Sequence, residues 1–366
     1  MKLFFNMIIA LMILIGNKSF GQNEIKKRSS NNIEVYSSRF GRSQPVVAVL
    51  AMNEGTELSD FIIPYGILAR SGTAKMVSVS VKPGTVRMSS LQFKLQNTIA
   101  EFDTLYPEGA DFVIIPAVRD DKNIQMLSWI KEQEKKGSTI VSICIGVTVA
   151  ANTGLLNGHS ATTYFRNIPE MKKSFPNVKW QENIRYVADG KMITSAGISA
   201  SIPLSLALVE AIAGYDKAIE TAKKIGVQTW SSNHNSDMFL KLTDKIVVQD
   251  NVKKEPIALN VKNGDDEIAI GLVADALLMT GKASVQIVSK TSTPIKLACG
   301  LEIFPSDSTE STIDMKTVPS LQNYKSIEVL DKILDKIAQW YGKESAAEVA
   351  ITMEYPVLTK YISGKN

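Results

Sequence analysis

From residue 46 onward, short continuous apolar runs alternate with stretches of helical period. Val46 to Leu50 reads as a buried strand. "TELSDFIIPYGILARSG" follows as a helix closed by Gly72. "KMVSVSV" and "ADFVIIPA" are further strands, and "NIQMLSWIKEQEKKG" is an amphipathic helix with Ile124, Leu127, Trp129 and Ile130 as its apolar stripe. Thr139 to Ile143 is a β-branched strand running straight into the Val147 to Asn152 helix, which Gly154 ends. "IRYVADGKMITSAG" predicts a hairpin turning at Asp189-Gly190. "SIPLSLALVEAIAG" is a helix that tolerates Pro203 in its first turn. Strands alternating with helices predict an α/β fold, a mainly parallel sheet sandwiched by helices. In such sheets reactive groups collect at the C-terminal strand ends.

The chain before residue 46 has a different pattern. Lys2 precedes an apolar run from Leu3 to Ile15, and Ser19-Phe20-Gly21 offers small residues where a signal peptidase reads. The expectation is a secretory signal over 1–21, cleaved near Gly21, and an exported protein that is not integral to a membrane; an uncleaved anchor is the alternative. Loss of Lys2 and Lys18 takes the formal net charge from +4 to +2 (4 − 2). Residues 22–45 are polar, include "KKRSSNN" and predict a solvated leader.

Past residue 230 the first pattern returns faintly. "PIALNVKNGDDEIAIGLVADALLMTGKASVQIVS" echoes "PVVAVLAMNEGTELSDFIIPYGILARSGTAKMVSVS". Gly264 − Gly55 and Gly281 − Gly72 both give 209, so the helix lengths agree. "SIEVLDKILDKIAQWYG" is a later helix. The expected organisation is one domain over 46–230, a connector over 231–255 and a degenerate partial repeat over 256–366. Chance similarity of two strand-helix-strand units is the alternative.

Candidate chemistry centres on Cys144, at the corner where strand becomes helix. Ser142 and Gly146 flank it at two residues' distance, as the close approach in a nucleophile elbow requires. A buried thiol acting as a small hydrophobe is the plainer reading. The only other cysteine is Cys299, and the two are compatible with one disulfide or two free thiols. No His/Cys/Asp spacing suits zinc, no glycine-rich loop suits phosphate, and no clustered basic face suits nucleic acid. No metal and no cofactor are expected.

Several segments together resemble the DJ-1/PfpI superfamily of class I glutamine-amidotransferase-like proteins. They are "IIPYGILARSG", "ADFVIIPA", "VSICIGVTVAANTGLLNGHSATTYF" and "ITSAGISASIPLSLALVEAIAG". The likeness is nearest to the amidase-like sensor domain of AraC-type regulators and to isocyanide hydratases. It implies a flavodoxin-like sheet and a nucleophilic or redox-active Cys144. It also implies an acidic partner four residues before a helix proline, here Asp60 before Pro64. Without the resemblance Asp60 reads as a helix cap, and Glu57, one turn earlier, is its rival. The resemblance further implies oxyanion donors at the Ala117 and Ile145 amides, although Ala117 and Val118 replace the glycines many relatives have there. Tyr164 stands where many relatives carry a histidine. His159 and His234 read as surface residues, with His234 folding back over the site as the alternative. Relatives commonly dimerise with the first helix at the contact, and the second half is expected to replace that partner as an internal pseudo-dimer. Two functions follow as expectations. One is cysteine-dependent hydration, hydrolysis or deglycation of a small electrophile, with a Cys144 thiol more acidic than usual. The other is a non-catalytic ligand-binding or redox-sensing protein.

Overall fold

The computed structural model describes residues 33–243, 253–306, 315–356 and 359–362. The expected signal segment lies outside them.

The chain enters through β1 (Val46–Ala51) and β2 (Glu54–Thr56) into α1 (Leu58–Ser71), then β3 (Lys75–Ser80). A hairpin of β4 (Val86–Met88) and β5 (Leu91–Lys94) leads to β6 (Asn97–Thr98), α2 (Ile99–Leu105) and β7 (Phe112–Ile115). Next come α3 (Ile124–Lys135), β8 (Thr139–Ser142), α4 (Val147–Asn152), β9 (Ser160–Ala161), α5 (Ile168–Ser174) and β10 (Lys179–Trp180). The β11 (Tyr186–Asp189) and β12 (Met192–Ser195) hairpin precedes α6 (Ser201–Ala213), α7 (Tyr215–Ile225) and α8 (Ser236–Thr243). The second half holds β13 (Glu255–Asn260), α9 (Glu267–Leu278), β14 (Ala283–Val288), β15 (Ile295–Lys296), β16 (Glu302–Ile303) and β17 (Lys316–Thr317). It ends with α10 (Glu328–Tyr341), α11 (Lys343–Thr352) and α12 (Thr359–Ile362).

Seven strands form the main sheet in the order β11-β12-β8-β7-β1-β3-β6. Every neighbouring pair is parallel except the β11–β12 hairpin. This is the α/β architecture the alternating pattern predicts. β1 and β7 are buried along their whole length, as central strands covered on both faces must be. One face carries α1 and α6, and the other carries α3 and α4. The second half contributes a separate three-stranded sheet, β14-β13-β17, and lays β15 and β16 against β5, β4 and β2. Its helix α9 packs on α1, and both helices are almost wholly buried.

Two expectations change. The α3 stripe is Met126, Trp129, Ile130 and Gln133, spaced at i, i+3, i+4 and i+7, while Ile124 at the helix start stands in solvent. The last part of the polar leader is not a free solvated segment. Arg42 pairs with the buried Asp111 at 2.7 Å, Tyr36 donates to the same carboxylate at 3.1 Å, and Arg39 donates to the Gly137 carbonyl at 2.8 Å. Asp111 needs these partners because it sits where β7 enters the sheet, accepting the Val46 N–H at 2.8 Å.

Candidate active site

β8 ends at Ser142, and the chain turns through Ile143 and Cys144 into α4. Cys144 has φ +52°, a left-handed conformation that an L-residue adopts only under constraint. The constraints are local. Ile143 N–H donates to the Ile115 carbonyl at 2.9 Å, Gly146 N–H donates to the Ile143 carbonyl at 2.7 Å, and Thr163 Oγ donates to the Cys144 carbonyl at 2.8 Å. Gly146 is required by space. A Cβ there would lie 2.5 Å from the Ile115 carbonyl oxygen and 2.6 Å from the Pro116 carbonyl carbon. The elbow therefore presses against the end of β7, at the C-terminal edge of the sheet.

Asp60 sits one turn into α1 and is fully buried. The loop after β7 is tied to the start of α1 in both directions. Glu57 N–H donates to the Ala117 carbonyl at 2.9 Å, and Ala117 N–H donates to Asp60 Oδ2 at 3.1 Å. An oxyanion would therefore compete with Asp60 for the Ala117 amide. The Ile145 N–H bonds back to the Cys144 sulfur.

Burial holds the Asp60 carboxyl up at about 7; the Ala117 bond opposes this and the charge of Asp275 adds to it. The Cys144 thiol is pushed well above its ordinary value, by burial first and then by the Asp60 charge. The Ile145 N–H works against the rise, and Glu57 and Glu354 add to it. The expected acidic thiol is thus reversed. One helix-end amide does not outweigh desolvation plus three carboxyl groups. Cys144 and Cys299 are both free thiols.

Three buried side-chain polar atoms lack a hydrogen-bond partner among the described residues: Asp60 Oδ1, Ser142 Oγ and Tyr164 Oη. All belong to segments that converge on the elbow. Each such atom costs about 1–3 kcal/mol, which makes the elbow the candidate site of this fold.

Residues outside the sequence-derived set also converge here. Glu354, at φ +53° and fully buried, accepts from the Gly197 N–H at 3.1 Å and is bonded to His234 Nε2. His234 is therefore buried and held, not a surface residue. His159 is half-exposed beside Asp189 at 3.5 Å, as its turn suggests. Asp275, from α9, accepts from Ser59 N–H at 2.7 Å and Ser89 Oγ at 2.9 Å, and bonds to Glu57. Burial and the Asp275 charge drive the Glu57 carboxyl well up. Among the described residues no helix is long and apolar enough to cross a membrane.

The DJ-1/PfpI family model matches residues 46–211. The chain is 28% identical to protein dj-1beta of Drosophila melanogaster over 183 residues, 48% of this chain and 94% of that protein. The crystal structure of that relative gives a TM-score of 0.46 at 27% identity, covering 51% of this chain and all of the relative. Identity to the isonitrile hydratase of Pseudomonas putida is 28% over 165 residues, 43% of this chain and 68% of the enzyme. Protein DJ-1 homolog A of Arabidopsis thaliana is 22% identical over 316 residues, 80% of this chain and 76% of that protein. The matched segment carries β1, α1, the Cys144 elbow and α6, so the likeness to the DJ-1/PfpI family holds over the elements that build the candidate site.

Proposed function

We propose that the Cys144 site performs cysteine-dependent chemistry on a small electrophile: hydration, hydrolysis or deglycation. The observation that carries this reading is the thiol held at positive φ within electrostatic reach of Asp60, whose Oδ1 is buried without a hydrogen-bond partner among the described residues. A carboxyl that titrates near 7 exchanges protons readily at neutral pH.

In the proposed step the sulfur forms a bond to the electrophilic carbon. The thiol proton passes to the Asp60 carboxylate and from there to the heteroatom that receives the displaced electron pair. Water then attacks the same carbon and loses a proton through Asp60. The C–S bond breaks and the thiol is restored, so the net change is addition of water. The raised thiol pKa fits a group activated only when substrate and base are both in place.

The second reading is a ligand-binding or redox-sensing protein without turnover. Tyr164 favours it, because burial drives the phenol well above its ordinary value, so it does not act as a neutral-pH base. A panel of small carbonyl, nitrile and isocyanide compounds, run with the native protein and Cys144→Ser, separates the two. Turnover lost in the variant supports the enzyme; ligand-induced thermal shifts without turnover support the binding protein.

We also propose export. The apolar run from Leu3 to Ile15 and the small residues at Ser19 and Gly21 support it. Mature protein should begin near Gln22; recovery of intact Met1 on the functional protein would count against it.

A further inference from the structure

The 209-residue offset can be examined contact by contact. β1 spans 46–51 and β13 spans 255–260, α1 begins at 58 and α9 at 267, and β4 begins at 86 and β15 at 295. Each difference is 209; β3 and β14, beginning at 75 and 283, differ by 208.

If the two segments were related by a two-fold axis, every contact between them would have an image under the same offset. The antiparallel pair β5–β16 joins Phe93 to Ile303 and Lys94 to Glu302. Because 302 − 93 and 303 − 94 are both 209, each pair is the image of the other. On the helices, a Cβ at Gly271 would lie 2.4 Å from Ile62 Cγ2. Their difference is again 209, so this contact is its own image and lies on the axis. Gly66 approaches Ile268, where an added Cβ would lie 2.7 Å from the isoleucine side chain. The image of that contact joins Asp275 to Ser59, and there the Ser59 N–H donates to Asp275 at 2.7 Å. An antiparallel pair is reciprocal within itself under any offset; what chance similarity does not demand is that the one offset of 209 centres the pairing both at the sheet edge and at the helix crossing.

We infer that residues 255–303 are a second copy of the β1–β5 unit, seated as the isologous partner of the first, and that this copy supplies Asp275 as a positioning residue of the Cys144 site. The inference rests on the reading of Cys144 and Asp60 given above. Asp275 stands where the first copy has Gly66 (275 − 66 = 209), so the carboxylate appears once, on the side that faces the active half. Burial raises the Asp275 carboxyl, its donors, the Ser59 amide and the Ser89 hydroxyl, oppose that rise, and Glu57 is driven up further, so Asp275 is the more acidic member of the pair. That charge adds to burial in raising the Asp60 carboxyl, so that it exchanges a proton near neutral pH.

The test is the pH profile of Cys144 alkylation by iodoacetamide in the full chain, which needs no substrate. The native profile should show a second inflection near 7, from Asp60. Asp275→Asn should move that inflection down by about one pH unit. Ser89→Ala, which removes one donor to Asp275 together with the acceptor of the Leu58 amide and leaves the Ile62–Gly271 crossing intact, should move it the same way by less, and covers the case in which Asp275→Asn does not fold. A purely structural Asp275 would lower the melting temperature and leave the inflection in place, which would overturn its positioning role. Sedimentation of the intact chain should give a monomer, and a dimer built through α1 would overturn the internal pairing. Loss of turnover in every assay would defeat the enzymatic reading without moving the alkylation profile.

Discussion

α1 and α9 are two buried apolar helices packed on each other, and they begin in opposite ways. α9 caps itself: the Asp266 side chain accepts from the Ile268 and Ala269 amides at 2.9 and 3.2 Å. α1 does not. Its N-cap residue, Glu57, makes no side-chain capping bond. The Leu58 amide donates to Ser89 Oγ at 3.2 Å, and the Ser59 amide donates to Asp275 across the helix interface. Asp60, the acid of its first turn, bonds the Ala117 amide instead of the helix. A helix whose first-turn acid serves a neighbouring loop leaves its own N–H groups to be satisfied from elsewhere. A helix without that duty satisfies them locally.

The sharpest way to break this contrast is through the two cysteines. Cys144→Ser should lower turnover of a responsive electrophile by about 10³-fold or more, whereas Cys299→Ser should leave it within a factor of about two. Equal losses would remove the asymmetry between the halves.

The next largest effect is on stability against pH. Asp60 has a native pKa of about 7, against about 3.9 for an unfolded aspartate. Between those values the native state binds the extra proton, so its contribution to stability is complete below about 4, falls as pH rises, and is gone above about 7. Glu57 shifts in the same direction. Melting temperature should therefore decline from pH 4 to 7, and Asp60→Asn should make the decline shallower without abolishing it. Calorimetry across that range that finds parallel slopes would mean Asp60 is not held protonated.

Gly271→Ala tests the helix crossing. The new methyl would meet Ile62 on a helix that cannot retreat, at a cost of about 1–3 kcal/mol in denaturant unfolding. No loss would mean the crossing is looser than its geometry. The smallest effect is expected at the self-made cap, where Asp266→Ala should cost about 1 kcal/mol and leave the Cys144 alkylation profile unchanged. A changed profile would show that the two helix starts are not independent.

The sheet and α1 were legible because their signals are local: continuous apolar runs for β1 and β7, a capping Gly72, a β-branched strand ending at a small-residue corner. The strand-to-helix corner at Cys144 was legible in a short window, whereas Asp60 was singled out only through the family resemblance, because a first-turn acid by itself reads as a cap. Glu354 and His234 were not legible, since their pairing spans 120 residues and neither sits in a pattern that announces burial. Asp275 did leave a signal, a lone acid inside a helix otherwise apolar from Ile268 to Leu278. An acid in that setting requires a partner, but nothing local says that the partner lies at the start of α1. The rise in the Cys144 pKa was hidden for the same reason, because its largest cause is burial and the three carboxyl groups that add to it, Asp60, Glu57 and Glu354, come from outside the elbow.

The covering of α1 by α9 from within one polypeptide has a consequence for how the site responds to abundance. A contact between separate copies obeys mass action and comes apart on dilution. A contact between two segments of one chain meets at an effective concentration fixed by the intervening chain, whatever the number of molecules present. The Asp275 bonds to the start of α1 are of the second kind. The chemical environment of Cys144 should then be the same at trace expression as at high expression, and a single isolated molecule should carry a complete site.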